Sequence, residues 1–163
     1  FYGIASPAKR VAEHAIHLWY SSGHITVEDN IIVNSDRGIG FGMANKGNQG
    51  GVIKDNWIIH ADNSHPYADA GITLESSPDT IVSGNWVLQY HSYPNSIEYR
   101  FPATQRVEIT NNTTNKRIRR RNGGGATVTN NHNADKLTPL QVSTLIERFP
   151  PEYRPAVRAA IAQ

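Results

Sequence analysis

Short runs of alternating apolar and polar residues dominate this chain, and they recur at a regular distance. In one pattern an asparagine follows an apolar residue by three positions, as in Val27/Asn30, Ile53/Asn56, Val82/Asn85, Ile109/Asn112 and Val128/Asn131. Successive asparagines are 26, 29, 27 and 19 residues apart (56−30, 85−56, 112−85, 131−112). Period-two alternation over so few residues predicts short strands that each bury one face.

A second pattern lies between the copies of the first. It reads Ala15-Ile16-His17-Leu18, Gly38-Ile39-Gly40-Phe41, Gly71-Ile72-Thr73-Leu74 and Ser96-Ile97-Glu98-Tyr99, with a weaker copy at Arg117-Ile118-Arg119. Turn-forming Gly, Asn, Asp, Ser and Pro separate the runs. Several short strands per repeat, stacked about five times, predict a solenoid. A β-sandwich also has many short strands, but it does not need one asparagine to recur in every repeat.

The recurring asparagine has a structural explanation. Asparagine tolerates left-handed backbone angles at a tight corner, and its amide can bond to nearby main chain. In stacked coils such amides meet at a spacing of about 4.8 Å and can form a hydrogen-bonded ladder. This role is favoured over ligand binding.

These repeats resemble the right-handed parallel β-helix proteins of the pectin-lyase-like superfamily. The resemblance is strongest at Ala15-Ile16-His17-Leu18-Trp19, Asp36-Arg37-Gly38-Ile39-Gly40-Phe41-Gly42 and Ser96-Ile97-Glu98-Tyr99-Arg100-Phe101. It implies an all-β fold, a right-handed parallel β-helix. That superfamily includes pectate and alginate lyases, polygalacturonases, uronate epimerases, phage tailspikes and non-enzymatic surface proteins. The resemblance therefore implies an acidic polysaccharide as the partner and a secreted or cell-surface location.

After residue 135 the pattern becomes helical, which divides the chain into a β-helix over 1–135 and a helical cap over 136–163. Thr138-Pro139-Leu140-Gln141 has the features of a helix start, and Pro150-Pro151 ends that helix. The predicted apolar positions are Leu140, Val142, Leu145, Ile146 and Phe149, then Tyr153, Ala156, Val157, Ala160 and Ile161 in a second helix over about 152–162. The pair should cover an end or a side of the solenoid, where Ile31, Trp57 and Trp86 project outward. A partner-binding or dimerising helix is the alternative.

Composition narrows the functional classes. Hydrophobic residues make up 38% and charged residues 18%, which is typical of a folded chain. The sequence has no cysteine, which excludes disulfides and cysteine-based zinc sites, and no run long enough to cross a membrane. Because the chain begins at Phe1 without a methionine, we expect a processed chain or part of a longer parent.

The register of the second pattern places side chains in columns. If Ile16, Ile39, Ile72, Ile97 and Ile118 point inward, the next residues point outward. One outward column is then His17, Gly40, Thr73, Glu98, Arg119, and another is Trp19, Gly42, Glu75, Arg100, Arg121. This predicts pairing of Glu98 with Arg119 and of Glu75 with Arg100.

The columns are either an exposed ion-pair ladder that adds little to stability or the floor of a groove. In the groove, Trp19 would stack on a sugar beside Gly40 and Gly42, and Arg100 and Arg119 would hold carboxylates.

A further column contains Glu13, Asp36 and Asp69. Stacked carboxylates repel one another unless a calcium ion, Arg37 or protonation neutralises them, so calcium is a candidate ligand of these three. The alternative is turn-forming aspartate. In lyase chemistry a cation neutralises the uronate and a base removes the neighbouring proton. We therefore assign Arg37, Asp36, Asp69 and His60 as candidate catalytic residues, with Arg37 as the base or the carboxylate ligand.

Two loops should flank the same groove. One holds His60, Asp62, His65, Tyr67 and Asp69, and its counterpart one coil later holds Tyr90, His91 and Tyr93. The predicted substrate-binding residues are His17, Trp19, Glu75, Glu98, Arg100, Arg119, His65, Tyr67 and His91. Solvated loop histidines are the alternative, and the spacing predicts no transition-metal site.

The basic run from Lys116 to Arg121 lacks the interleaved aromatics of a nucleic-acid surface. It favours contact with an anionic glycan or a solvated edge, and no nucleic-acid partner is expected.

The main hypothesis for the whole protein is a polysaccharide lyase or glycoside hydrolase that acts on an acidic polysaccharide, needs no cofactor beyond a candidate Ca²⁺, and does not insert into a membrane. The alternatives are a non-catalytic glycan-binding or structural surface module, or an inactive fragment of a larger enzyme. The open N-terminal coil could also support self-association.

Overall fold

The chain forms three parallel sheets of five strands each. The computed structural model describes residues 1–7, 12–61 and 65–161. Sheet 1 contains β1 (His14–Leu18), β4 (Arg37–Phe41), β7 (Ile72–Glu75), β10 (Asn95–Arg100) and β13 (Arg117–Arg121). Sheet 2 contains β2 (Thr26–Glu28), β5 (Gly51–Lys54), β8 (Thr80–Ser83), β11 (Val107–Thr110) and β14 (Ala126–Thr129). Sheet 3 contains β3 (Ile31–Val33), β6 (Trp57–His60), β9 (Trp86–Gln89), β12 (Thr113–Thr114) and β15 (His132–Asn133).

Strand order shows how the chain winds. Each sheet pairs every third strand, so the chain visits the three sheets in turn and returns one coil further along. The predicted inward column is confirmed, because Ile16, Ile39, Ile72, Ile97 and Ile118 are successive register partners across sheet 1. The right-handed parallel β-helix and its repeat register are therefore as predicted.

The interior is filled by apolar side chains from all three sheets. Fully buried members include Ile39, Phe41, Ile53, Val82 and Ile109. Inward residues lie above one another in stacked coils. The core is thus a set of continuous apolar columns, and each one depends on the register of the strands.

The asparagine ladder is present at the corner between sheets 2 and 3. The side-chain Nδ2 of Asn56 donates to Asn85 Oδ1 at 2.9 Å, and the Asn56 backbone N–H donates to the same oxygen at 3.0 Å. The same two bonds join every neighbouring pair from Asn30 through Asn112 to Asn131. Asn56, Asn85 and Asn112 are fully buried, so the ladder satisfies polar groups that water does not reach.

One detail of the ladder differs from the prediction. The residue in the left-handed region is the one before each asparagine, at Asp29, Asp55, Gly84, Asn111 and Asn130, with φ of 53–68°. The corner therefore separates two tasks. The preceding residue makes the backbone reversal, and the ladder asparagine, which lies outside the left-handed region, bonds through its amide to the asparagine of the next coil.

A second polar column, absent from the sequence prediction, lies at another corner. Asn48 N–H donates to Ser77 Oγ at 2.9 Å, and Ser77 N–H donates to Thr104 Oγ1 at 3.1 Å. Their separations, 29 and 27 residues, match the Asn56–Asn85 and Asn85–Asn112 intervals. The period was visible in the sequence, but the change of residue type concealed the column.

Two C-terminal helices cover the outer face of sheet 3. Helix α1 (Pro139–Glu147) begins with a capping box between Thr138 and Gln141, as predicted. A 3-10 turn over Pro151–Tyr153 leads into α2 (Arg154–Ile161). Their apolar residues pack against outward residues of sheet 3 and of the adjoining corner, and together these form a second core. The helical segment contributes Leu137, Leu145, Ile146, Val157, Ala160 and Ile161, and the solenoid contributes Ile31, Val33, Ile59, Ala61 and Leu88, with Trp57 and Trp86 flanking them. The rings of Trp57 and Trp86 stack with centroids 5.0 Å apart.

The helical cap and its target surface are confirmed, but three of its assigned apolar positions are wrong. Leu140 is 76% exposed, Tyr153 is 50% exposed, and Ala156 also faces solvent. Leu140 lies in the first turn of α1, one turn before the side chains that reach sheet 3. The part of the chain described by the structure contains no helix long and apolar enough to cross a membrane.

The two ends of the solenoid differ. At the N-terminal end, Phe1–Ile4 pairs with β3 through bonds such as Gly3 N–H to Val33 O at 2.9 Å, while β1 and β2 each pair with one strand. At the other end Arg120 occupies a core-facing position, because it is the register partner of the buried Tyr99. Self-association through the N-terminal coil stays a prediction, as does the division at residue 135.

We expect Asn85→Ala to destabilise the fold by about 3 kcal/mol, because it leaves several buried main-chain groups without partners. Asn30→Ala at the end of the ladder should cost roughly 1 kcal/mol, since its backbone N–H still bonds to Asn56. Urea unfolding of both variants measures the difference. Equal losses would show that the ladder is not a main source of stability.

Ile146→Ala should lower the free energy of unfolding by about 2–4 kcal/mol, because Ile146 is 2% exposed between α1 and sheet 3. Leu140→Ala in the same helix should change it by less than about 0.5 kcal/mol. Thermal or urea denaturation checks both values. A large loss for Leu140→Ala would contradict the packing described here.

Candidate functional site

A groove crosses the outer face of sheet 1. Two cavities form it, and they adjoin because Ala12 and Arg37 line both. The first, of about 260 Å³, is also lined by Glu13, His14, His17, Trp19, Gly42, Met43 and Glu75. The second, of about 410 Å³, is also lined by Pro66, Tyr67, Ala68, Asp69 and Tyr93. We call this surface the sheet 1 groove. Seven of the predicted site residues line it: Glu13, His17, Trp19, Arg37, Tyr67, Asp69 and Glu75.

Aromatic side chains stack along β1 at one end of the groove. The rings of His14 and His17 stack with centroids 3.9 Å apart, and His17 stacks on Trp19 at 5.5 Å. His17 Nε2 is 2.9 Å from Gly42 O, and His14 Nε2 is 3.3 Å from Thr73 Oγ1. Trp19 is 46% exposed, so its ring remains available at the rim.

The glycines beside Trp19 do not leave the open space that the sequence predicted. A Cβ atom at Gly40 would lie 2.5 Å from His14 Nε2, because the two imidazoles occupy that space. At Gly42, where φ is +83°, a Cβ would overlap the Glu75 carbonyl oxygen of the next coil. Both glycines therefore allow close packing, and the accessible volume lies further out.

The outward columns carry two ion pairs. Arg100 Nη1 donates to Glu75 Oε1 at 2.6 Å, as predicted. The predicted partner of Glu98 is wrong, because Arg121 rather than Arg119 donates to it, at 2.9 Å. Tyr93 Oη and Asn95 Nδ2 each donate to Glu98 Oε1 at 2.6 Å, and Arg121 also bonds to Tyr93.

Loop coverage explains that change of partner. Tyr93 bridges Glu98 and Arg121, which leaves Glu98 only 1% exposed. Burial and the bond to Glu98 raise the pKa of Tyr93 well above its usual value, so the phenol stays protonated. Glu98 is therefore a buried structural acceptor, and Arg119 remains on the exposed surface of β13.

The acidic column is stacked as predicted, but its carboxylates have different partners. Main-chain bonds link Arg37 N–H to Glu13 O and Asp69 N–H to Asp36 O. Asp69 pairs with Arg37, with Nε to Oδ2 at 2.8 Å, and Asp36 Oδ1 is 2.7 Å from His65 Nδ1. Glu13 is exposed. Among the described residues no group of three or more His, Cys, Asp or Glu is arranged to hold a metal ion, so the calcium assignment gains no support.

The remaining candidates lie in a buried corner at the ends of β6 and β9. His60 is 1% exposed, its Nδ1 lies 2.7 Å from Ala61 O, and burial lowers its pKa. The ring of His91 meets it edge-on at 4.6 Å. Gln89 Nε2 lies 3.0 Å from His91 Nε2 and donates to Asp69 O at 2.5 Å. This polar network fixes the loop that carries Asp69.

The four candidate catalytic residues therefore divide into two pairs. Arg37 and Asp69 form a partly exposed ion pair in the groove, whereas Asp36 and His60 are each 1% exposed beneath it. Of the loop residues, Tyr67 lines the groove and His65 binds Asp36, while Asp62 lies outside the described residues. Sequence reasoning missed His14 and Met43 as groove residues, whereas it had placed Tyr93 in a loop flanking the groove without assigning it to binding.

His14 makes folding sensitive to pH. Burial, followed by the charges of His17 and Arg37, lowers its pKa from 6.5 to about 3. Below pH 6.5 the unfolded chain takes up a proton that the folded chain refuses until about pH 3, so stability falls as pH falls through this window.

We expect the free energy of unfolding of His14→Gln to fall less than that of the parent over this range, by about 2 kcal/mol. Urea titrations at several pH values measure it. His132→Gln, at an exposed position of β15, is the control. Parallel curves for parent and His14→Gln would contradict the assignment.

Comparison with known proteins bears on the fold. No curated protein and no solved structure matches the chain. Residues 6–138 match the family model described as "Periplasmic copper-binding protein (NosD)", a parallel β-helix family of the pectin-lyase-like superfamily. This match spans the solenoid with all fifteen strands of the three sheets. The chain therefore belongs to the NosD family of parallel β-helix proteins.

Proposed function

We propose that the outer face of sheet 1 binds an acidic polysaccharide and that this protein is a glycan-binding β-helix. The observation that carries the proposal is that β13 has exposed arginines without acidic partners. Arg117 and Arg119 are exposed on the outward side of β13, and neither has an acidic partner among the described residues. The nearby carboxylates Glu75 and Glu98 are already paired with Arg100 and Arg121. The surface thus has surplus positive charge.

Guanidinium groups suit the carboxylates of a uronic acid. The planar fork of arginine can donate two parallel hydrogen bonds to one carboxylate, and arginine is more weakly hydrated than lysine. Arg117 and Arg119 lie two residues apart on one strand, so they are about 7 Å apart along it. The two arginines could therefore hold opposite edges of one acidic sugar where a polysaccharide crosses β13.

The opposite end of the same face offers an aromatic surface. Trp19 lies at the β1 rim, and the five strands of sheet 1 put it roughly 19 Å from β13. A polysaccharide lying along the helix axis would contact Trp19, the groove and the β13 arginines in turn. Loops on a rigid scaffold commonly supply such contacts, and Tyr67 extends from one.

Binding is favoured over catalysis because the four candidate catalytic residues do not lie together in the groove. A general base must come within hydrogen-bond reach of the proton that it removes. Asp36 and His60 are buried beneath the groove, and Arg37 is held by Asp69. A lyase or hydrolase remains the alternative. We expect no unsaturated product or new reducing ends from polyuronates, with or without calcium.

Copper, named in the description of the family, does not fit the donors that line the sheet 1 groove. The sequence has no cysteine and a single methionine, Met43. His14 and His17 are the histidine pair nearest to it in the groove, but their rings are stacked with an interplanar angle of 24°. Ring-nitrogen lone pairs lie in the ring plane, so stacked imidazoles do not converge on one ion.

The double variant Arg117→Gln/Arg119→Gln should weaken binding to polygalacturonate or alginate by about tenfold or more, because each guanidinium–carboxylate bond contributes about 1 kcal/mol. Isothermal titration calorimetry at two salt concentrations measures the affinity, which should fall with salt in the parent.

Lys136→Gln/Arg158→Gln, which removes the same two positive charges at exposed positions outside sheet 1, is the matched control and should leave binding unchanged. Equal weakening of binding by this control would show that the loss comes from net charge rather than from the position of the arginines on β13. Absence of binding by the parent to any acidic polysaccharide would overturn the proposal.

A further inference from the structure

We infer a second carbohydrate site, for a neutral sugar, beside the sheet 1 groove. A cavity of about 540 Å³ lies where the chain leaves β1 and β4, within the range usual for small-ligand sites. Its lining includes Tyr20, Ser21, Asn45, Lys46, Asn48 and Gln49. The inference goes beyond the acidic-glycan proposal, because different residues carry it.

The chemistry of the lining matches sugar hydroxyls. Each carboxamide offers two donors and an acceptor, and each serine hydroxyl donates and accepts, as sugar hydroxyls also do. Among the described residues that line the cavity, Lys46 is the one charged side chain, and its Nζ lies 5.6 Å from the Trp19 ring centroid. No carboxylate lines it. The ammonium group of Lys46 is directed at the Trp19 ring, and the other polar groups of the lining are uncharged amides and hydroxyls, which favours a neutral saccharide over a uronate.

Tyr20 provides the apolar surface that a sugar ring needs. It is 81% exposed, and its backbone is in the left-handed region with φ of 57°. A bond from Tyr20 N–H to Gly47 O at 2.8 Å holds that conformation. The equivalent corner residues of later coils, Ser76, Phe101 and Asn122, are also left-handed, so the turn of the solenoid sets this conformation. In this coil the corner places an aromatic ring at the rim of a polar cavity.

The opposite wall is rigid before any ligand arrives. Met43 and Lys46 exchange two backbone hydrogen bonds of 2.9 Å, which close a tight turn. Glu75 Oε2 accepts from Ala44 N–H at 2.5 Å, and Ser76 Oγ donates to Ala44 O at 2.6 Å. Asn45, at the tip of this turn, is therefore presented in a fixed position. Pre-organisation reduces the entropy lost on binding.

One polar group in the lining lacks a partner. Asn48 is fully buried and donates to Gly50 O at 2.6 Å, but its Oδ1 has no hydrogen-bond partner among the described residues. Buried acceptors are usually satisfied in folded proteins. This oxygen is itself buried, so a sugar would contact the exposed side-chain amides of Asn45 and Gln49, which lie beside Asn48 in the lining.

The test uses the intact protein and a panel of neutral oligosaccharides, with cello-, manno-, xylo- and malto-hexaose as probes. We expect at least one to shift the side-chain NH₂ signals of Asn45, Asn48 and Gln49 in NMR titrations, with little effect of salt. Tyr20→Asn removes the ring but tolerates the left-handed backbone, and it should weaken binding about tenfold. Tyr20→Phe keeps the ring and should retain most of the affinity.

Two results would overturn the inference. One is the absence of amide shifts with every neutral probe at millimolar concentration. The other is unchanged binding in Tyr20→Asn, which would show that the Tyr20 ring does not contact the sugar. Arg117→Gln/Arg119→Gln should leave this binding unchanged, so failure here is distinguishable from failure of the acidic-glycan proposal.

Discussion

The hydrogen-bonded stack of asparagine amides is the interaction on which the rest of this molecule depends. Each ladder residue bonds to the next through both its side chain and its backbone N–H, so slipping one coil against another breaks a whole set of buried bonds. The ladder thereby fixes the register of sheets 2 and 3, and the chain connections transmit that register to sheet 1. Apolar packing alone would tolerate several alignments, since isoleucine and valine columns are interchangeable.

Once the register is set, each outer face acquires its own chemistry. Sheet 3 turns Ile31, Ile59 and Leu88 outward, and this apolar surface holds the C-terminal helices. Sheet 1 turns imidazole, carboxylate and guanidinium groups outward, and the helices do not cover it. The helical cap therefore does more than hide an apolar surface. By occupying one face, it leaves the charged face and its loops accessible to a ligand.

The sequence was sufficient for everything that depends on the repeat. The inward isoleucines, the ladder and the Glu75–Arg100 pair follow from spacing, because stacked coils make residues one repeat apart into neighbours. The direction in which each side chain extends, and therefore its partner, could not be predicted from spacing. Glu98 binds Arg121 because the Tyr93 loop folds over it, and His14 turns across Gly40 into the space expected for a sugar. The Asn48–Ser77–Thr104 column escaped notice because hydrogen-bonding ability, rather than residue identity, is what recurs there.

Arg120 has a consequence for the size of the solenoid. Its position is the one that Leu74 and Tyr99 fill with apolar side chains in the preceding coils of sheet 1. Another turn of polypeptide stacked below would have to dehydrate a guanidinium group, a cost that apolar contacts at that end could not easily offset. Arg120 thus disfavours the stacking of a further coil. The exposed strand edge at this end therefore resists growth into a fibre.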